Sequence, residues 1–324
     1  MGVIKDFIDK GYIIPWKMLK VTMASMPYLL KIIVKHPIYL LKSNITSRPL
    51  LREYQLKASY EIPEYKPGMK YVKSNEKYLR PTHLCNPYAK EIIAMANKLG
   101  AFEKEPREYA EAVFNFVKND VKLAFIPMDR EVDTLRRGAG TCIHQLSLLI
   151  ALCRAAGIKA RYRLYSLALV ESIYQNQVAV SSLMKEWYDA LGTFMLHGDA
   201  EIYIDGEWVV ADPTYSPEYE AAMGIPHSKL GDSPFGVWNY PVEGTIMTLE
   251  GLPLGVGAAW NFMVKYLGPG ENIKINLSLE KARKIGREIL KKNGISNYDR
   301  RIREVYKPKI PKITLEKSPN LVFV

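Results

Sequence analysis

The stretch Ile143 to Ala156 is almost uninterrupted in its apolar character and is closed by Gly157, and it constrains the fold more than any other part of the chain. A helix apolar on most of its faces belongs inside a core. The run before it, Gly138-Ala-Gly-Thr-Cys142, places a thiol at the helix start. The first turn of a helix carries unsatisfied N–H groups and the positive end of the macrodipole, an environment that favours a thiolate nucleophile. Glycines at 138 and 140 let the backbone turn tightly there and leave one side of the sulfur open.

A thiol nucleophile needs a base. The segment His197-Gly-Asp-Ala-Glu-Ile-Tyr-Ile-Asp-Gly-Glu-Trp-Val-Val-Ala-Asp-Pro-Thr214 reads as a hairpin turning at Asp205-Gly206, a preferred type I′ pair. If Ile204 pairs with Glu207, paired numbers sum to 411. His197 then lies opposite Thr214, with Asp212 as its diagonal neighbour on the same face, within reach of the ring. Cys142, His197 and Asp212 thus receive the roles of nucleophile, base and orienting acceptor. The same arithmetic pairs Tyr203 with Trp208, expected beneath the site as a water-excluding floor.

These residues resemble the transglutaminase-like superfamily. Thr134-Leu-Arg-Arg-Gly-Ala-Gly-Thr-Cys142 through Arg161 is similar to its nucleophile segment, and Val113 to Val121 to the helix before it. His197, Glu201, Asp205-Gly206, Trp208 and Asp212-Pro-Thr214 follow its histidine and aspartate hairpin in order and spacing. The resemblance covers roughly residues 86 to 215. It implies an α+β, papain-like core in which a nucleophile helix packs on an antiparallel sheet, with Cys142, His197 and Asp212 catalytic. Members of the family are peptidases, amide hydrolases or acyl transferases, and some are inactive. Asp199 stands where the family often has an aromatic residue, which adds a carboxylate near the imidazole.

The expected reaction is hydrolysis of a peptide or protein amide through a thioester acyl-enzyme, and transfer to an amine that forms an amide cross-link is the variant within enzymes. The alternative is a non-catalytic scaffold of the same fold that binds a membrane surface or a protein partner. The backbone N–H of Cys142 is the natural oxyanion donor. No cofactor and no resident metal are expected. A zinc site built from Cys142, His197 and Asp212 lacks an additional Cys or His pair at ligand spacing. Cys153 inside the apolar helix reads as core, and His144, two residues beyond Cys142, as structural. His36, His83 and His227 carry no argument, and Glu201 is a candidate partner for Arg154 or Arg161.

Three expected units follow from texture: a basic amphipathic helical extension over 1–60, a catalytic domain over 61–270, and a basic C-terminal helix and tail over 271–324. In the first, Trp16, Leu19, Met23, Met26 and Leu30 recur at spacings of three and four between lysines, and Pro15, Pro27 and Pro37 are expected to break the helices. These helices either pack on the core or lie on an anionic membrane.

Helices are expected over 87–99 after Asn86, from Pro106, and from a Ser278 cap to Gly294. A strand is expected over 160–170, a lid or inserted helix over 171–191, loops shaping a cleft over 224–257, and an extended tail over 300–317. The net charge of +11 is concentrated near the two ends without a nucleic-acid-binding motif, so no nucleic acid partner is expected. Three cysteines do not form a disulfide framework. Position 6 is Asp where a myristoylation site has Ser or Thr, no secretory leader is evident, and the run from Val21 to Leu30 is too short to cross a bilayer. The expected location is cytoplasmic, with peripheral membrane contact through the N-terminal helices.

Overall fold

Pro15 and Pro37 bound the N-terminal helices, whereas Pro27 does not break its own. In the computed structural model, which describes residues 2–53 and 57–317, α1 (Gly2–Asp9), α2 (Trp16–Lys35) and α3 (Pro37–Glu53) follow one another. Pro27 sits inside α2. Helix α2 buries Met18 on one side of the proline and Ile32 on the other, and this packing outweighs a local cost of about 3 kcal/mol.

The next elements build the nucleophile layer: α4 (Lys90–Lys98), α5 (Pro106–Asp120), β1 (Lys122–Leu123), α6 (Glu131–Arg137), β2 (Ala139–Gly140) and α7 (Cys142–Ala155). The α4 start lies later than Asn86 because the Asn86 side chain accepts from Tyr88 N at 3.0 Å and spends itself on a turn. Every residue of α7 from Ile143 to Ala155 is buried, as its composition dictates.

Strand β3 (Ala160–Leu169) is followed by α8 (Glu171–Ile173), a π-helical turn (Tyr174–Val178) and α9 (Ser182–Leu191), so the inserted segment is helical. Strands β4 (Phe194–Ile204) and β5 (Glu207–Ala211) form the hairpin, then come α10 (Pro217–Met223), β6 (Asn239–Pro241), β7 (Met247–Leu249) and α11 (Leu254–Phe262). A second π-helical turn (Met263–Leu267) precedes α12 (Pro269–Asn293), α13 (Ile295–Val305) and α14 (Lys312–Lys317). Three expectations fail here: the segment 224–257, expected as loops, holds β6, β7 and the start of α11, because its strands complete the sheet on β3. The helix expected from Ser278 begins at Pro269, preorganised for a first helical position, so Ser278 is interior. The tail expected to be extended is helical over 300–305 and 312–317, and residues 318–324 lie outside the described residues.

The fold is α+β. Its five-stranded sheet runs β5-β4-β3-β6, with β7 also on β3, and every pairing is antiparallel. On β3, Ala160, Tyr162 and Leu164 join the core cluster of α7, while Tyr165, Leu167 and Leu169 join a second cluster on the other side. A register shift between Tyr165 and Leu167 marks the change of face. Residues on both sides of 60/61 and 270/271 share these clusters: Met18 belongs to the first, and Ile275, Leu279 and Ala282 of α12 to the second.

The N-terminal helices are tied down and yet exposed. Arg80 bridges Asp6 and Glu250 at 2.6 and 2.8 Å, and Gly251 N donates to Asp9 O at 2.8 Å. Val34 and Ile38 nevertheless leave 78% and 81% of their surface accessible, with Trp16, Met23, Leu30, Leu41 and Ile45 also exposed. No helix among the described residues is long and apolar enough to cross a membrane.

Candidate active site

The thiol is positioned by an element the sequence only hinted at. Strand β2 pairs in parallel with β1, Lys122 with Ala139 and Leu123 with Gly140, and the chain turns directly from this pairing into α7. A Cβ on Gly140 would lie 2.4 Å from the His144 Cβ, so only glycine admits the turn. His144 closes a capping box with Thr141, its Nδ1 accepting from Thr141 N at 3.0 Å. The His144 Nε2 faces Asp129 at 3.3 Å. His144 is structural, as expected. Gln145 Nε2 donates to Val121 O at 2.8 Å and lies 3.3 Å from Pro213 O, tying the first turn of α7 to the chain beyond Asp212. Cys142 is part-buried at the start of this helix.

The hairpin register follows the sum of 411 from Ile204–Glu207 to Ala200–Ala211, and Asp205 and Gly206 both have positive φ, 55° and 84°. The ladder ends there. Two steps further the count would set Pro213 opposite Gly198, and Pro213 has no N–H to give, so the ladder does not reach His197 and Thr214. Asp212 still reaches the ring: its Oδ2 lies 3.2 Å from His197 Nε2, and its Oδ1 accepts from Thr214 N at 3.0 Å. His197 Nε2 is thereby engaged, Nδ1 is left for the sulfur, and Cys142 faces the same cavity as the ring, near enough to raise its pKa. Cys142, His197 and Asp212 are thus brought together.

A residue the sequence reading passed over makes that approach possible. A Cβ on Gly198 would fall 2.5 Å from Leu164 Cδ2 and 3.2 Å from Ile143 Cδ1, so the glycine lets β4 cross closely above the first turn of α7. A Gly followed by alternating strand residues was the available signal.

Burial depresses the His197 pKa, but the facing Cys142 thiolate and the Asp212 carboxylate outweigh it, and the imidazole is pushed up to about 10. Asp212 is lowered: burial opposes its charge, and the bonds from His197 and Thr214 prevail. Asp199 moves the other way, to about 6, because full burial and the Asp212 charge outweigh Arg163 and Tyr165. Arg163 Nε and Nη2 each donate to Asp199 at 2.7 Å, and the Tyr165 hydroxyl donates to it at 2.8 Å. The second carboxylate therefore serves Arg163 and Tyr165 rather than the imidazole.

The aromatic wall differs from the expected one. Tyr203 and Trp208 do pair, centroids 5.3 Å apart, but at the far tip of the hairpin, where Arg161 stacks 3.8 Å over Trp208 and Tyr203 is exposed. The rings against His197 are Trp238, edge-on at 5.2 Å, and Tyr165 at 5.6 Å. Glu201 takes Arg161 as its partner at 2.7 Å, while Arg154 donates to backbone carbonyls. His36 and His227 gain carboxylate partners, Glu186 from 150 residues away and Glu220 from seven.

Lys118, fully buried, donates to Glu220 at 2.6 Å and to Tyr215 O at 2.6 Å, which fixes the chain just past Asp212. Beside Cys142 and His197 opens a cavity of ≈ 330 Å³ that extends under α2, α9 and α11. No group of three or more His, Cys, Asp or Glu among the described residues is arranged to hold a metal ion. The arrangement of sulfur, imidazole and carboxylate can form a thiolate–imidazolium pair, attack a carbonyl carbon, and return a proton to a leaving group.

Residues 93–213 match the family model of the Transglutaminase-like superfamily, a span that includes Cys142, His197 and Asp212. A solved structure of a candidate cysteine protease from Cytophaga hutchinsonii aligns at 21% identity over 46% of this chain and 47% of its own, with a TM-score of 0.32. No curated protein matches.

Proposed function

We propose that this chain, which carries a transglutaminase-like segment over residues 93–213, is a thiol-dependent amide hydrolase, in its simplest form a peptidase. Cys142 attacks the acyl carbon, His197 carries the thiol proton to the leaving amine, and Asp212 holds the imidazolium. Water, or a second amine in the transfer variant, then releases the acyl group from sulfur. The observation that carries the reading is one imidazole held 3.2 Å from Asp212 Oδ2 at the wall of a cavity that Cys142 also lines. An idle scaffold has no chemical reason to keep the three groups together.

Iodoacetamide followed by peptide mass spectrometry tests it. Cys85 is fully buried and pushed up to about 11 by burial, and Cys153 is raised further for the same reason. At pH 7, Cys142 is expected to react at least on the order of a hundredfold faster than either. Equal, slow labelling of all three thiols would remove the proposal.

We also propose that α1–α3 lie on an anionic bilayer. The favouring observation is the exposed apolar set on α2 and α3 beside the exposed lysines Lys20, Lys31 and Lys42. The full chain is expected to float with phosphatidylglycerol vesicles and not with neutral phosphatidylcholine at moderate salt. Val34→Glu is expected to weaken this partition about tenfold, from the lost burial of one valine. Flotation that survives removal of residues 1–60 would contradict it.

A further inference from the structure

We propose that the cavity beside Cys142 holds the hydrocarbon chain of a long-chain acyl group, so that the covalent intermediate is a fatty-acyl thioester. This rests on the amide-hydrolase reading and names its substrate class: amides of long aliphatic acids.

The lining is the first argument. In a chain that is 24% charged, the cavity wall holds no Lys or Arg among the described residues, and its single carboxylate, Glu271, is already held by the Tyr39 hydroxyl and by Lys274 at 2.8 Å. Both of these bonds go to Oε1, so Oε2 is the wall's one carboxylate oxygen without a partner among the described residues.

The shape is the second. At one end lie Cys142 and His197, and Met18 of α2, which also lines the cavity, belongs to the same core cluster as Ile143. At the other, Ile32 and Leu183 belong to a separate small cluster with Leu40. The α2 stretch facing the cavity, Met18 to Ile33, is about 22 Å long at 1.5 Å per residue. A volume of ≈ 330 Å³ over that length has a cross-section of about 15 Å². That is the width of one chain whose carbons keep roughly 4 Å from their neighbours.

A peptide is the competing occupant. Over the same length it would carry roughly six residues, each with an N–H and a C=O to satisfy. The wall's polar groups fall short of that: Gln177 donates to Tyr215 and Tyr219, Asn272 donates to Gly268 O, and Trp187 Nε1, Thr214 Oγ1 and Glu271 Oε2 are the buried side-chain atoms there without a partner among the described residues, against about a dozen backbone groups of such a peptide. Methylenes ask for no such partners. At about the volume of a water molecule each, roughly 30 Å³, on the order of ten carbons fit.

The reaction balances without a co-reactant other than water. The bond from Cys142 Sγ to the acyl carbon forms as the C–N bond breaks, and the thiol proton passes through His197 to the amine. Water then displaces sulfur, giving the carboxylic acid and returning the proton to the thiol.

The test uses the full chain and 7-amino-4-methylcoumarin amides of acetic, hexanoic, decanoic and hexadecanoic acids below their aggregation limits. Turnover kcat/KM is expected to rise about fourfold per methylene and to level near ten to twelve carbons. Ile32→Trp, a plug at the distal end, is expected to move the plateau to shorter chains. A bilayer source is distinguished from a soluble one by presenting the decanoyl amide in vesicles or free in solution. Three of the five tryptophans, Trp187, Trp238 and Trp260, line the cavity. A brominated decanamide is therefore expected to quench Cys142→Ala fluorescence, a readout independent of catalysis. Turnover flat in chain length, faster cleavage of a peptidyl coumarin amide, or the absence of quenching overturns the chain-binding proposal. Selective Cys142 alkylation would persist in those cases, whereas quenching without selective alkylation would overturn the hydrolase reading alone.

Discussion

Asp212→Asn is expected to slow release of aminomethylcoumarin from a fatty-acyl or peptidyl amide by roughly 10³- to 10⁴-fold, with the fold intact. The reason lies in what Asp212 Oδ2 does at 3.2 Å from His197 Nε2. It fixes the tautomer that leaves Nδ1 for sulfur, and its charge helps hold the imidazolium that must later protonate the amine. An asparagine amide supplies neither the charge nor an obligatory acceptor, and its NH2 group competes to donate to the same nitrogen.

The pH dependence gives this prediction a second signature. With the imidazole pushed up to about 10, wild-type turnover is expected to hold through neutral pH and fall as pH rises through about 10, where the proton donor is lost. Removing one of the two anions that raise it moves this alkaline limb to lower pH in Asp212→Asn. Alkylation of Cys142 needs no proton donor and is expected not to fall on the alkaline side in either protein. Stability carries the same sign. The folded-state value of His197 lies above the ordinary 6.5, so the protonated ring contributes stability fully below that pH and loses it as pH climbs through about 10. Equal turnover and equal alkaline limbs in the two proteins would exclude Asp212 from the reaction.

The parts of this site that local chemistry dictates were legible in the sequence. Asp205-Gly206 admits one tight turn, and from it the register follows by counting as far as Ala200–Ala211. Counting could not reveal that Pro213 ends the ladder, nor how far along a strand a face remains covered. Tyr203 shares a parity with His197, and Trp208 pairs with Tyr203, yet both sit at the open tip. The rings that wall the imidazole come from β3 and from a loop around residue 238, contacts between segments remote in sequence that no periodicity encodes.

Helix α12 was obscured for another reason. Asn272 and Asn276 are buried although polar, and Asn276 uses its amide to bind Phe125 N at 2.6 Å and Phe125 O at 3.0 Å. Polar residues that satisfy a neighbouring backbone hide the stripe by which a helix is recognised. Pro27 inside α2 is the converse, a local breaker overruled by packing at Met18 and Ile32.

Arg154→Leu is expected to destabilise the protein by roughly 3–5 kcal/mol, read as a drop of about 5–8 °C in the thermal midpoint. Arg154 has no exposed surface. Its Nε and Nη2 donate to Ala160 O at 3.1 and 2.8 Å, Nη2 also to Glu250 O at 2.6 Å, and Nη1 to Arg80 O at 2.8 Å. One guanidinium thus joins the C-terminal end of α7 to the start of β3, the turn after β7 and the loop at Arg80. Leucine fills much of the space but leaves those carbonyls without a donor in a dry interior, and the cost is set by orphaned acceptors rather than by lost charge pairing. Arg154→Lys sharpens the test, since an ammonium on a single stem cannot span a fork of three carbonyls and is expected to recover only part of the loss. Because α7 carries Cys142 at one end and Arg154 near the other, loosening this anchor also frees the nucleophile helix to shift against β4. Cys142 alkylation in Arg154→Leu is therefore expected to lose its selectivity over Cys85 well below the melting midpoint. A variant that melts with the wild type would show that the three carbonyls find other donors, and would remove Arg154 as the anchor of the helix.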